Sequence, residues 1–118
     1  MADVEIEVVE YVNASGRNPF AEWTASLDSQ AVARILSTTA RMRLGNVGDA
    51  KPVGEGVSER RIHSGPGYRI YFGKDGSRLV ILLGGGTKSR QSRDIEAAKA
   101  AWADYKQRKQ EAKTNGTN

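Results

Sequence analysis

What most constrains this chain is a set of three short apolar runs between residues 57 and 83, each divided from the next by a few turn-forming residues. They are VSERRIH (57–63), YRIYF (68–72) and RLVILL (78–83), joined by SGPG and by a turn containing Asp75-Gly76. Connections this short leave no room for a crossover, so consecutive strands must run antiparallel. Opposed residues in such a sheet share a face, so turn length predicts which side chains meet. A two-residue turn at Asp75-Gly76 sets Phe72 opposite Leu79, Ile70 opposite Ile81 and Tyr68 opposite Leu83, an apolar face that belongs to the core. Arg69 and Tyr71 then point the other way. In the preceding hairpin, an even loop would put Arg61 opposite Ile70 and drive it into the core. An odd loop pairs Ile62 with Tyr68 and Arg61 with Arg69. The odd loop is preferred, and it gathers Glu59, Arg61, His63, Arg69 and Tyr71 on the second face. Arg60 then points toward the core side and has to escape at an edge.

The rest of the chain supplies what covers that sheet. Residues 4–11 alternate, with Val4, Ile6 and Val8 against Glu5 and Glu7, and read as a half-buried opening strand. Asn18-Pro19 combines an N-cap residue with proline at the first helical position. Phe20, Trp23 and Leu27 then fall on one stripe. Asp28 or Ser29 caps a second helix that ends at Leu44-Gly45, with Val32, Leu36 and Thr39 on one face and Ile35 and Met42 close by. Residues 45–56, GNVGDAKPVGEG, read as a loop with defined turns or a mobile segment. Ser92 caps a last helix with Ile95, Ala98, Trp102 and Tyr105 on its apolar stripe. The order is β-αα-βββ-α, an α+β fold with a helical hairpin on a mainly antiparallel twisted sheet. A single domain over 1–106 and a disordered polar tail over 107–118 are expected.

Charge and composition narrow the chemistry. Residues 1–59 carry five basic against nine acidic residues, a net of −4, and residues 60–118 carry thirteen against five, a net of +8. A basic half on a small domain suits a phosphate backbone or an acidic protein segment. There is no cysteine and a single histidine. This removes disulfides, thiolate zinc sites and cysteine nucleophiles, and argues against a histidine metal centre. No metal and no cofactor is expected. The longest apolar run, Leu79 to Leu83, is far short of the ~18 residues a membrane helix needs. MADVEIEVVE lacks the layout of a secretory signal, so a cytoplasmic location is expected.

Two opposed arginines repel unless an anion lies between them, which makes the Arg61–Arg69 pair beside His63 the sharpest local signal. Gly84-Gly85-Gly86, followed by Thr87-Lys88-Ser89-Arg90, is a second candidate, able to cradle a phosphate with backbone N–H groups. It does not meet the P-loop spacing.

Taken together, Gly45-Asn46-x-Gly48-Asp49-x-Lys51-Pro52-Val53-Gly54-Glu55-Gly56-Val57, then Glu59-x-Arg61-Ile62-His63-x-Gly65-Pro66-Gly67-Tyr68-Arg69-Ile70-Tyr71-Phe72, then Gly85-Gly86-x-Lys88-Ser89 and Asp94-Ile95, resemble the addiction module killer protein family. That family lies in the RelE/ParE superfamily of type II toxin–antitoxin toxins, near the HigB-type members. The resemblance spans about residues 4–105. It implies a RelE-like fold and a metal-independent endoribonuclease that cuts mRNA in the ribosomal A site and inhibits translation. Its implied partners are a cognate helix-turn-helix antitoxin, with operator DNA reached only through it, and no membrane. Carried over, the catalytic positions are Arg61, His63, Arg69 and Lys88, with Tyr71, Lys51 and Arg90 as substrate contacts. Arg93-Asp94-Ile95 stands where RelE has a catalytic tyrosine. His63 is the best general base on the chain, and the arginines suit phosphate clamping. Two alternatives remain within the resemblance: a ParE-like DNA gyrase inhibitor without nuclease activity, and a degenerate toxin that only binds its antitoxin.

Overall fold

The structure, a computed structural model, describes residues 5–115; Val4 of the expected opening strand and residues 116–118 of the expected tail lie outside them. The fold is α+β. Strand β1 (Glu7–Glu10) leads into helices α1 (Pro19–Ala25) and α2 (Ser29–Arg43). Four strands follow, β2 (Ala50–Gly54), β3 (Val57–Ile62), β4 (Tyr68–Lys74) and β5 (Leu79–Thr87). A 3₁₀ turn, Lys88–Arg90, then opens into α3 (Gln91–Asn115). The sheet is ordered β1-β5-β4-β3-β2, with β1 parallel to β5 and every other pair antiparallel.

The helix starts follow from local chemistry. Asn18 Oδ1 accepts the Ala21 N–H at 2.9 Å, with Pro19 at the first turn, and Asp28 Oδ1 accepts the Ala31 N–H at 2.8 Å. Each carboxamide or carboxylate thereby satisfies an N–H that helix geometry leaves without a partner. Asp28, not Ser29, is the cap of α2. At its end the Gly45 N–H donates to the Met42 carbonyl at 2.9 Å, with Gly45 in the left-handed region at φ 89°.

The β3–β4 register is the odd one, with Ile62 opposite Tyr68 and Arg61 opposite Arg69. The β4–β5 register is not the expected one. Phe72 lies opposite Leu82, Ile70 opposite Gly85 and Tyr68 opposite Thr87, with a bulge between Tyr71 and Phe72. The cause is at the turn. The Asp75 N–H donates to the Leu79 carbonyl at 2.8 Å, and the Asp75 carboxylate is held by α3, by the Tyr105 hydroxyl at 2.6 Å and by Lys109 Nζ at 2.6 Å. Asp75 is thus drawn out of a two-residue turn into a longer loop, and the parity changes.

Both faces of the sheet are consequently covered. The helical hairpin brings Phe20, Ile35 and Met42 onto Ile70, Phe72, Val80 and Leu82. On the opposite face α3 brings Ala98, Ala101 and Trp102 onto Val57, Tyr71, Ile81 and Leu83, joined by Tyr11. The face that the sequence assigned to the arginines is therefore half core.

Three further expectations are corrected. Residues 50–54 form an edge strand, β2, rather than a loop. Pro52 is tolerated because an edge strand need not donate on its outer side. A two-residue turn at Glu55 (φ 55°) and Gly56 (φ 84°), both left-handed, returns the chain into β3. The polar segment after Gln107 is helical as far as Asn115. It is tied down by Arg108 Nε on Asp104 at 3.0 Å and by the Lys109–Asp75 pair, contacts that a composition reading does not see. Finally, Gly84–Gly86 lie within β5 and do not form an open phosphate cradle. A Cβ at Gly85 would collide with the Trp23 ring, and one at Gly86 with the Asp94 carboxylate, so close packing explains both glycines.

Candidate functional site

The site is organised around two carboxylates, one buried and one exposed. Glu59, in the middle of β3, has no solvent exposure. Antiparallel pairing sets Lys51 of β2 directly opposite it on one side and Tyr71 of β4 on the other. Arg61 lies two residues along the same strand and face, and Arg69 lies opposite Arg61. Three cations therefore converge on one carboxylate: Arg69 Nε at 3.4 Å, Lys51 Nζ at 3.9 Å and Arg61 Nε at 4.0 Å. From α3, Gln91 Nε2 donates to Glu59 Oε1 at 3.4 Å. A buried charge without partners is strongly unfavourable, and this one is surrounded by opposite charge. The anion that two opposed arginines require is thus built into the strand that carries one of them.

The second carboxylate is Asp49, just before β2. Its backbone carbonyl accepts the Arg61 N–H at 3.0 Å, and its side chain accepts from Arg61 Nη2 at 3.2 Å and meets His63 Nε2 at 2.5 Å. The His63 hydrogen bond, then that of Arg61, holds the Asp49 carboxyl below the usual carboxylate range. An ionised carboxylate only accepts, so it is the Nε2–H that faces Asp49. His63 itself is mostly exposed, with 71% of its side-chain surface open. Arg61 links the exposed pair to the buried cluster.

Of the expected site residues, Arg61, His63, Arg69 and Lys51 are brought together in this way. Lys88 and Arg90 sit on the neighbouring 3₁₀ turn and line a hollow of about 500 Å³ with Ser89, Gln91, Ser92 and Arg93. Among the described residues no hydrogen bond or ion pair joins Lys88 or Arg90 to the cluster. The connection runs through Gln91, which borders both. Burial pushes the Asp94 carboxyl up, with Arg90 and Arg93 opposing that shift.

Tyr71 is a correction. It shares the arginine face, as its parity requires, but it is fully buried beneath α3 and cannot stack on a base or reach a solvent phosphate. Burial first, then the Glu59 and Asp94 charges, pushes its hydroxyl up to about 12, so it stays protonated at neutral pH. Arg60, expected to escape the core at an edge, is half-buried on the hairpin side. It passes so close over Gly48 that a Cβ there would lie 2.6 Å from the guanidinium, and it donates to the Arg61 carbonyl. Burial lowers its pKa.

The residues that sequence reasoning did not assign are Asp49, Gln91 and Glu59 as the centre of charge. Glu59 was visible on the right face; its burial was not. Asp49 becomes legible, and Lys51 gains its place opposite Glu59, only once residues 50–54 are known to pair with β3.

The chain is thus an α+β domain with a mixed five-stranded sheet, helices on both faces and a buried carboxylate caged by cations where β2, β3 and β4 meet α3. No family model matches it. It is 44% identical over 81 residues to an uncharacterized protein of Haemophilus influenzae, a match that covers 68% of this chain and 82% of that protein. The chain belongs to the same family as that protein. Among the described residues no helix is long and apolar enough to cross a membrane.

Proposed function

We propose that this protein is the toxin of a type II toxin–antitoxin module, a RelE-like member of the RelE/ParE superfamily close to the HigB-type toxins, and that it cleaves mRNA in the ribosomal A site. The motif resemblance supports this reading, and one observation carries it in the structure. The only histidine stands exposed beside Arg61, with its Nε2 at 2.5 Å from the Asp49 carboxylate. RNA cleavage without a metal needs a base, cations at the phosphate and an acid for the leaving oxygen. His63 Nδ1 takes the 2′-hydroxyl proton as that oxygen attacks phosphorus. Arg61 and Arg69 stabilise the charge that builds on the non-bridging oxygens. The bond to the 5′-oxygen breaks and that oxygen is protonated, a role for which Lys88 on the adjacent turn is the candidate. The products are a 2′,3′-cyclic phosphate and a 5′-hydroxyl. Lys51 and Arg90 extend the cationic surface for neighbouring phosphates.

In this reading a cognate helix-turn-helix antitoxin neutralises the toxin in the cytoplasm by covering the basic face, and operator DNA is bound through that partner. A ParE-like gyrase inhibitor is the second reading. It draws on Arg69, whose side chain is 12% exposed with its Nε turned to Glu59, so part of the cationic charge is already answered inside the protein. Primer extension on a reporter mRNA with and without translating ribosomes, beside a gyrase supercoiling assay, separates the two. Cuts that need ribosomes and vanish in His63→Ala are expected, with Asp49→Asn slowing them roughly 10²-fold. Intact mRNA together with blocked supercoiling would overturn the nuclease reading.

A further inference from the structure

We propose that Glu59 is a positioning residue of this site: its buried carboxylate draws Lys51, Arg61 and Arg69 together from behind and fixes where their outer N–H groups meet a phosphate. The inference rests on the reading of a phosphate-clamping face given above. Its basis is geometric. Arg61 and Arg69 occupy directly opposed positions on β3 and β4 and would splay apart by mutual repulsion. Glu59 lies under both, with Arg69 Nε at 3.4 Å and Arg61 Nε at 4.0 Å. Both Nε atoms are buried without a hydrogen-bond partner, so each guanidinium turns that edge inward to the carboxylate. What remains for a ligand are the terminal nitrogens, one of which, Arg61 Nη2, Asp49 already aims. The carboxylate cannot drift. It has no solvent exposure, it sits mid-strand, and Gln91 of α3 donates to Oε1, the oxygen that Arg69 faces.

A residue that only neutralised charge would be replaceable by any fold-preserving change that keeps the charge. A positioning residue would not, because displacing a catalytic group by about 1 Å already costs up to ~10²-fold. The isosteric variant Glu59→Gln removes the charge and keeps the shape. Binding of a single-stranded RNA with deoxyribose at the scissile position is followed by fluorescence anisotropy across a salt series. For Glu59→Gln the expected result is binding at least as tight as wild type, with a salt slope steeper by about 0.7, since one internal anion no longer competes. Cleavage by the same variant is expected to fall about tenfold or more. Glu59→Asp keeps the charge and withdraws the carboxylate by one methylene, and should keep the wild-type slope while cleaving slowly. A merely structural role would lower melting temperature, binding and cleavage together. Wild-type cleavage by a folded Glu59→Gln would overturn the proposal.

Should Glu59→Gln not fold, Glu59→Asp decides by the same criterion. The wild-type protein gives a further check that needs no variant: the Nε–H protons of Arg61 and Arg69 should exchange slowly in NMR spectra, and solvent-rate exchange would overturn the inference. If wild-type protein binds RNA but cuts none under any condition, the nuclease reading fails. The salt slope and the Nε exchange would then still decide the role of Glu59.

Discussion

The most exacting test of the architecture is a single methyl group at Gly73. This residue lies in β4 opposite Val57 and Ile81, on the face covered by α3. A Cβ there would stand 2.5 Å from Trp102 Cε3 and 2.6 Å from Cζ3, distances at which something must move. The indole cannot. It is 6% exposed and stacked on Tyr105 with ring centroids 5.3 Å apart, and its Nε1 lies 2.6 Å from where a Cβ at Gly56 would be. Overpacking of this kind costs ~1–3 kcal/mol, offset by ~0.4–1 kcal/mol because alanine restricts the unfolded chain. Gly73→Ala should therefore destabilise by about 1–2 kcal/mol, a fall in melting temperature of roughly 4–8 °C for a domain of this size. Trp102→Ala alone should cost ~3–5 kcal/mol through the cavity it leaves. In that background Gly73→Ala meets no ring and should be neutral or slightly stabilising, so the double-mutant cycle should show a coupling of about 1–2 kcal/mol. Urea unfolding followed by far-UV circular dichroism suits the measurement, because the fluorescence signal changes when Trp102 is removed. An identical cost for Gly73→Ala in both backgrounds would refute the claim that this indole is what excludes a side chain from β4. The result bears on the site as well, since the same helix carries Gln91 to Glu59.

Three other outcomes follow from particular contacts. Asn18→Ala removes the side-chain acceptor for the Ala21 N–H and should cost about 1 kcal/mol in chemical denaturation, whereas Asn18→Asp keeps that acceptor but sets a second carboxylate against Glu10, to which Asn18 Nδ2 donates at 2.7 Å, and should recover only part of the loss. Hydrogen bonds from Lys109 and then Tyr105 hold the Asp75 carboxyl below its usual range, so its contribution is present above the ordinary aspartate pKa and is lost as pH falls through the depressed folded value. Melting curves between pH 7 and pH 2 should accordingly show wild type losing more stability on acidification than Asp75→Asn. Asp94 is the opposite case. Burial raises its folded pKa, so ionisation costs stability at neutral pH and that cost disappears below the ordinary aspartate pKa. Asp94→Asn should melt higher than wild type at pH 7, with the difference closing as pH falls through the raised value, and a gap that widened in acid would contradict this account.

What the sequence determined by itself is what short-range chemistry controls. Asn18-Pro19, Asp28 and Gly45 mark helix ends because caps satisfy backbone groups within three or four residues of themselves. The opposition of Arg61 and Arg69 was legible because only one parity of the β3–β4 loop keeps Arg61 out of the core. The apolar stripe of Ile95, Ala98, Trp102 and Tyr105 was legible from helical spacing alone, and it is the stripe that meets the sheet. Tertiary structure decided the rest, in each case through a partner distant in sequence. Asp75 looked like a turn residue and became an anchor for Tyr105 and Lys109, thirty and thirty-four positions away, which altered the β4–β5 register. Residues 50–54 carry glycine and proline where strand propensity is poor, and they pair because β3 offers a free edge. Tyr71 and Glu59 alternate onto the arginine face as period-two reasoning requires, but only the docking of α3 turns that face from solvent into core. Alternation reports which side of a sheet a residue takes. Whether water or a helix waits on that side depends on the whole chain, and here it makes Glu59 the buried centre of the site while leaving His63 exposed at its rim.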